Sequence, residues 1–104
     1  MEKNNYQIRY LSSFRKEFED IIRYIKNDLE NDGAAQKLYR KVFTSIITRS
    51  KNPESFRVYK SVFHTKYSWY RINIDNFSVF YVVKDNVMEV AHIIYSRRDI
   101  DRII

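Results

Sequence analysis

Two Asp-Asn dipeptides divide the C-terminal part of the chain into three segments, and they constrain its fold more than any other feature. The segments are residues 67–74, 77–84 and 87–95, and each is rich in β-branched and aromatic side chains. Asp and Asn tolerate the positive φ angles that two-residue hairpin turns require. We therefore predict three consecutive antiparallel strands that form a β-meander.

The same turns predict which side chains share a face of this sheet, because residues that flank a two-residue turn pair directly. One face is almost wholly apolar, and we expect helices to cover it; its residues are Tyr70, Ile72, Ile74, Phe77, Val79, Tyr81, Val83, Met88, Val90, His92 and Ile94. We name the opposite side the far face, and its predicted residues are Tyr67, Trp69, Arg71, Asn73, Ser78, Phe80, Val82, Lys84, Val87, Glu89, Ala91, Ile93 and Tyr95. Helices cover only one side of a two-layer domain, so we expect the far face to be open and to carry the function.

The first half of the chain contains one alternating segment and two apolar stripes at helical spacing. Residues 6–11 alternate between apolar and polar side chains, which predicts a short strand. Apolar residues then recur every three or four positions over residues 14–29 and again over residues 38–47. The short break between the stripes predicts an antiparallel helical hairpin, which packs on the meander.

Helix caps and a basic stretch complete this prediction. Ser12 or Ser13 can cap the first helix, and Asp32 can cap the second. Residues 55–66 are irregular and basic, which indicates a loop or a ragged strand. The whole is an α+β domain in which the first strand joins the edge of the sheet.

Composition excludes several classes of protein. The 104 residues suit one compact domain, residues 1–104, and the chain has no cysteine for a disulfide or a thiolate. Its longest apolar run covers residues 79–83, which is far shorter than a membrane span. The polar N-terminus does not resemble a signal peptide. We expect a soluble, cytoplasmic domain with no membrane partner, no metal and no cofactor.

Positive charge is concentrated in the middle of the chain. The net charge is +6, yet residues 33–74 alone contain nine basic residues and one acidic residue, a net charge of +8. Aromatic residues are interleaved with these cations, as in the run Trp69-Tyr70-Arg71. This pattern favours a polyanionic partner, because cations can contact phosphates while aromatic rings stack on bases.

Four short motifs in the meander, in this order, resemble the RelE/ParE superfamily of toxins from type II toxin–antitoxin pairs. They are Tyr70-Arg71-Ile72, the run Asn-Phe-Ser-Val-Phe-Tyr at residues 76–81, Asp85-Asn86-Val87, and the run Ile-Ile-Tyr-Ser-Arg-Arg-Asp at residues 93–99. Asn52-Pro53 after the second helix is similar too. The resemblance implies a two-layer RelE/ParE-like domain with an N-terminal strand, an antiparallel helical hairpin and a three-stranded antiparallel β-meander.

The resemblance also implies a cognate antitoxin protein as partner and two alternative activities. One branch of the superfamily cuts messenger RNA on the ribosome without a metal, by transfer of the scissile phosphate to the ribose 2′-hydroxyl. The other branch inhibits DNA gyrase without catalysis. A third interpretation is an inactive relative that binds only its antitoxin or operator DNA. We favour the endoribonuclease, with DNA gyrase inhibition as the alternative.

For cleavage, the resemblance places candidate catalytic residues in three regions. Arg71 would stabilise phosphate charge, although a surface salt bridge with Glu89 would explain it as well. Arg97 would stabilise the same charge from the end of the last strand. Tyr95 would stack on a base or donate a proton, or it would only cover the sheet edge. The candidate general bases, which a solvated loop would also explain, are His64, Lys60 and Lys66.

Further far-face residues are candidates for nucleic-acid binding, namely Tyr67, Trp69, Ser78 and Lys84. Many nucleases of the superfamily carry an arginine at the position of Ser78, so this serine weakens the catalytic interpretation. The alternation along the last strand places His92 on the apolar face, where we expect a hydrogen-bonded core histidine.

Overall fold

The computed structural model describes residues 6–60 and 67–97. It confirms the predicted α+β architecture of an N-terminal strand, two helices and an antiparallel meander. The elements are β1 Gln7–Tyr10, α1 Ser12–Arg23, a π-helical turn Tyr24–Asp28, α2 Asp32–Arg49, β2 Val58–Tyr59, β3 Trp69–Ile74, β4 Phe77–Lys84 and β5 Val87–Tyr95. The sheet order is β1-β5-β4-β3-β2, with β1 parallel to β5 and the other neighbours antiparallel. Within the described residues, the basic stretch before the meander contributes one short edge strand, β2.

The two predicted apolar stripes form the helical side of the main core. Phe14 and Phe18 of α1 are buried against sheet residues, as are Leu38, Val42 and Ile46 of α2. The sheet contributes Ile72, Ile74, Val79, Tyr81, Met88 and Val90, together with other apolar residues. Burial of these apolar side chains drives the association of the two layers.

The two hairpin turns have the backbone that their sequences predict. Asp75 has a φ of 53°, and Asp85 and Asn86 have φ of 50° and 63°. Ile74 pairs with Phe77 across the first turn, which confirms the predicted register between β3 and β4. The sheet therefore sorts side chains by the predicted alternation as far as the middle of β5.

A one-residue bulge in β5 reverses that alternation. Phe80 pairs with His92 while its neighbour Tyr81 pairs with Val90, so Ala91 is an extra residue without a partner on β4. Such an insertion moves every later side chain of the strand to the opposite face. The predicted faces are therefore wrong for the residues beyond it.

Four side chains change sides as a result. His92 and Ile94 lie on the far face, where Ile94 packs with Phe80. Ile93 instead joins the main core. Tyr95 pairs with Phe77, so it too belongs to the helix side rather than the far face. With or without the bulge, the alternation along β5 places apolar residues on the core side. The sequence therefore carries no sign of the bulge.

The predicted helix caps also need correction. Neither Ser12 nor Ser13 caps α1, because Leu11 occupies the N-cap position and no side chain caps it. At α2 the cap is Asn31 rather than Asp32: its Oδ1 accepts a hydrogen bond of 3.0 Å from the Ala34 N–H. Asn31 has the non-helical backbone that a cap requires, whereas Asp32 is already helical.

Helix α1 holds the bulge from outside the sheet. The Ser13 hydroxyl donates a hydrogen bond of 2.6 Å to the carbonyl oxygen of Ala91. Two residues further along β5, the Glu17 carboxylate accepts a hydrogen bond of 3.0 Å from the Ile93 N–H. These bonds satisfy backbone groups that the bulge removes from regular pairing.

We expect Ser13→Ala to lower the free energy of unfolding by about 1 kcal/mol, because the Ala91 carbonyl loses its hydroxyl donor. Ser12→Ala is the matched control, since Ser12 is exposed and makes no side-chain hydrogen bond among the described residues. Urea unfolding of both variants measures the difference. A larger loss in Ser12→Ala would contradict the structure and favour a cap by Ser12.

Candidate functional site

The far face is partly covered rather than wholly open. Phe80 and Ile94 form a second small core at its centre, and Tyr59 of β2 and Trp69 of β3 pack against them. The Tyr59 ring meets Phe80 edge-on, with ring centroids 5.2 Å apart. The expectation of an open face is therefore wrong at this centre, because the aromatic side chains of β2 and β3 fold over it.

Arg71 is the cation that this aromatic cluster supports. Its guanidinium lies 5.6 Å from the centroid of the Tyr59 ring and 5.8 Å from that of Phe80. Its Nε donates hydrogen bonds of 2.8 Å to Asn73 Oδ1 and 3.0 Å to Ser78 Oγ. A single N–H of the guanidinium is thus shared between two neutral acceptors, which leaves the positive charge of Arg71 unneutralised.

Arg71 and Glu89 do not form the salt bridge that was the alternative explanation for Arg71. The Glu89 carboxylate instead pairs with Arg9 at 2.9 Å and with Lys84 at 3.6 Å. Within residues 6–60 and 67–97, no carboxylate lies within 4 Å of the Arg71 guanidinium nitrogens. An arginine that keeps its charge beside neutral partners is suited to an anion such as phosphate.

Ser78 is a support for Arg71 rather than a surface residue. It is fully buried, at 0% exposure, and its hydroxyl also lies 2.8 Å from Ser96 Oγ and 3.3 Å from Asn73 Oδ1. A buried hydroxyl requires such partners, because an unpaired one would be costly. The serine at this position therefore fixes the neighbouring arginine instead of contacting a ligand itself.

The remaining predicted residues are spread over several places in the fold. Trp69 is half-buried on the far face, and the Lys84 ammonium lies 4.5 Å from the centroid of the Tyr67 ring. Tyr95 is 40% exposed at the end of β5, on the helix side. Lys60 is exposed just after β2, and Arg97 is exposed beyond β5. His64 and Lys66 lie outside the described residues.

The structure therefore joins some of the predicted site and separates the rest. Arg71, Ser78 and Trp69 share the far face with the Tyr67–Lys84 pair. Tyr95 lies on the other side of the sheet, so the predicted alternation does not carry Arg97 onto the far face either. In the described part of the chain, no hydrogen bond, ion pair or ring contact includes Arg97.

Two residues with well-defined contacts in the structure were not predicted from the sequence to make them. His92, expected in the core, lies on the far face, where its Nδ1 is 3.0 Å from the Glu17 carboxylate and its ring is 6.2 Å from that of Trp69. The alternation along β5 predicts the wrong face for His92, because the sequence gives no sign of the bulge. Arg49, noted only as part of the basic segment, is the second group.

Arg49 links the end of α2 to the middle of the sheet. Its Nη1 donates a 2.9 Å hydrogen bond to the Tyr81 hydroxyl, which in turn donates a 2.6 Å bond to the carbonyl of Pro53. The guanidinium also lies 3.6 Å from the centroid of the Phe56 ring. Burial raises the pKa of Tyr81, although the Arg49 hydrogen bond and charge oppose this. Tyr81 therefore stays a neutral phenol near neutral pH, and it acts structurally.

An aromatic groove of about 620 Å³ lies on the helical side, away from the far face. The aromatic residues that line it are Tyr10, Phe14, Phe18, Tyr39 and Phe43. Its charged lining includes Arg15, Arg23 and Lys26, with Glu19 as the carboxylate. The groove offers a surface for a protein partner that is separate from the Arg71 site.

The described residues contain no cluster of three or more His, Cys, Asp or Glu side chains that could hold a metal ion. None of the helices in the described part of the chain is long and apolar enough to cross a membrane.

Comparison with known families gives a match over nearly the whole chain. The matching family model is described as the ParE toxin of the type II toxin–antitoxin system parDE, and it covers residues 8–100. A search of curated protein sequences finds no match. The match includes both helices, the whole meander, and the bulge in β5.

We expect Tyr81→Phe to lower the free energy of unfolding by about 1–3 kcal/mol at pH 7, because Arg49 and the Pro53 carbonyl both lose a partner inside the fold. The raised pKa of Tyr81 adds a pH dependence. The neutral phenol is favoured in the folded state, so its contribution is complete below pH ~10 and is lost as the pH rises through the folded pKa.

Urea unfolding at several pH values from 7 to 11 measures both effects. The wild type should lose more stability above pH ~10 than Tyr81→Phe does. Tyr39→Phe is the matched control, since the Tyr39 hydroxyl makes no hydrogen bond among the described residues. Equal pH dependence in the wild type and Tyr81→Phe would contradict this assignment.

Proposed function

Because the chain belongs to the ParE toxin family of type II toxin–antitoxin systems, we propose that it inhibits translation by cleaving messenger RNA on the ribosome. Its partner as a toxin of such a system is a cognate antitoxin. The observation that carries the cleavage proposal is Arg71, whose charge is held on the far face without a carboxylate partner among the described residues. The remaining support comes from the groups around it.

The reaction requires stabilisation of negative charge that builds up on the scissile phosphate. Arg71 can supply this charge stabilisation because two hydrogen bonds fix its Nε before any ligand arrives. Preorganised donors are effective in catalysis because they need no rearrangement as charge develops. Arg97 remains a candidate for a second cation, and His64, Lys60 and Lys66 remain candidates for proton transfer.

Aromatic groups beside Arg71 suit a single-stranded nucleic acid. Trp69 lies on the same face of β3 as Arg71, and Tyr67 with its neighbouring Lys84 lies just before that strand. Rings of this kind stack on bases while nearby cations contact the backbone phosphates. The antitoxin, in this proposal, presents an acidic or amphipathic segment to the basic surface of residues 33–74.

Inhibition of DNA gyrase is the second candidate function. It is favoured by the matched family of ParE toxins and by the aromatic groove between α1 and α2, which can bind a protein without any catalysis. In that case toxicity depends on the helical side, and the far face is dispensable. The two candidates therefore differ in which surface a substitution must alter.

We expect brief expression without antitoxin to produce new messenger RNA 5′ ends within translated regions, in phase with codons. Arg71→Ala should reduce this cleavage by about 10²- to 10³-fold, because a preorganised donor to the phosphate is lost. Arg40→Ala is the matched control, an exposed arginine on α2 away from the far face. The melting temperatures of both variants report whether the fold is intact.

Each other outcome contradicts the proposal in a distinct way. Growth arrest with intact messenger RNA and a DNA-damage response would identify gyrase as the target. Full toxicity of Arg71→Ala together with loss of toxicity in Tyr39→Ala would identify the same target. Absence of growth arrest in the wild type would identify an inactive relative. Cleavage that survives in Arg71→Ala would keep the activity but remove Arg71 from its centre.

A further inference from the structure

Glu17 and His92 form a carboxylate–imidazole pair at the bulge of β5. The two Glu17 oxygens lie 3.0 and 3.2 Å from His92 Nδ1, and one of them also accepts a 3.0 Å hydrogen bond from the Ile93 N–H. The carboxylate is thus anchored to the backbone of the same strand that carries the imidazole. Both side chains are largely shielded, with 30% of Glu17 and 17% of His92 exposed.

This arrangement fixes which ring nitrogen of His92 carries the proton. An ionised carboxylate only accepts hydrogen bonds, so Nδ1 must be the donor, and Nε2 of the neutral ring is then an acceptor. No described residue bonds to Nε2. Since no buried side-chain nitrogen of the described residues lacks a partner, Nε2 reaches solvent. The ring therefore presents a basic nitrogen to the outside.

His92 and Arg71 lie in one row across the far face. Arg71 on β3 pairs with Phe80 on β4, and Phe80 pairs with His92 on β5. Two strand spacings separate the Cα atoms of Arg71 and His92 by about 10 Å. Side chains of this length, with Phe80 between them in the row, can contact the same nucleotide.

Trp69 completes this arrangement at the side of the row. Its ring lies 6.2 Å from that of His92, at an interplanar angle of 38°. An aromatic surface next to a basic nitrogen is a suitable place for a base whose ribose lies over the row. A proton acceptor, a phosphate-binding cation and a stacking ring are thus adjacent.

We propose that His92, positioned by Glu17, is the general base of messenger RNA cleavage; this inference rests on the proposed function. His92 Nε2 takes the proton of the ribose 2′-hydroxyl as the 2′ oxygen forms a bond to phosphorus. The bond between phosphorus and the 5′ oxygen breaks, and that oxygen takes a proton from water. The products are a 2′,3′-cyclic phosphate and a 5′-hydroxyl end.

Glu17 is a positioning residue in this scheme, since it touches His92 and not the RNA. It keeps the proton on Nδ1 and stabilises the positive charge that the imidazole acquires. The anchor to the Ile93 N–H holds the carboxylate in place during this change.

The test is single-turnover cleavage of a defined messenger RNA bound to ribosomes, with the ribosome concentration for half-maximal rate measured in parallel. His92→Asn keeps a donor at the position of Nδ1 but has no basic nitrogen, so a structural role would tolerate it. We expect cleavage to fall by about 10²- to 10⁴-fold. The half-saturating ribosome concentration and the melting temperature should stay close to those of the wild type.

Glu17→Gln tests the positioning role, because its amide oxygen can still accept from the Ile93 N–H. We expect the maximal rate to fall by at least about 10-fold, with ribosome affinity unchanged. Asp28→Asn is the matched control, an exposed carboxylate on the π-helical turn after α1 that makes no ion pair among the described residues. It should cleave at the wild-type rate.

The outcomes separate this inference from the function it rests on. If His92→Asn cleaves messenger RNA at the wild-type rate, His92 is not the general base, but the proposed endoribonuclease activity stands. A wild type that cleaves no messenger RNA on ribosomes would overturn both. If His92→Asn and Glu17→Gln both lower the melting temperature along with the cleavage rate, the pair has a structural role. That result would also reject the proposal.

Discussion

The contact between helix α1 and the bulge of β5 is the interaction on which the far face depends. Ser13 bonds to the Ala91 carbonyl, and Glu17 accepts from the Ile93 N–H, so the helix holds the strand where its regular pairing is interrupted. The bulge decides which side of the sheet each later side chain of β5 occupies. With it, His92 lies beside Trp69; without it, that histidine would point into the core.

The polar groups of the far face form a network around Arg71 in which buried atoms are satisfied. Among the described residues, no buried side-chain nitrogen or oxygen lacks a hydrogen-bond partner. Ser78 shows why this matters, because a fully buried hydroxyl without Arg71, Asn73 or Ser96 would cost more than it contributes. The network fixes the arginine by its neutral neighbours and so preserves its charge for a ligand.

The sequence was sufficient to predict the structure where a local pattern is compatible with only one conformation. Asp-Asn turns required positive φ, apolar stripes required helices, and together they predicted the layers and most of the register. The prediction failed at Ala91, because the apolar residues on both sides of it suit either alternation. Asn31 and Asp32 are both good caps, so only the backbone could choose between them. The pairing of Glu17 with His92 joins residues 75 apart in sequence, and no local pattern reports such a contact.

The parallel pairing of β1 with β5 has a consequence for the timing of folding. Gln7 pairs with Val87 and Tyr10 with Val90, so the first strand of the sheet has no partner until the last one has been synthesised. Helix α1 depends on the same strand through Ser13 and Glu17. Contacts between such distant segments slow folding, because a long stretch of chain must be ordered before they form. Synthesis therefore delivers most of the polypeptide before the sheet can close, which leaves an interval in which the chain exists but is not yet folded.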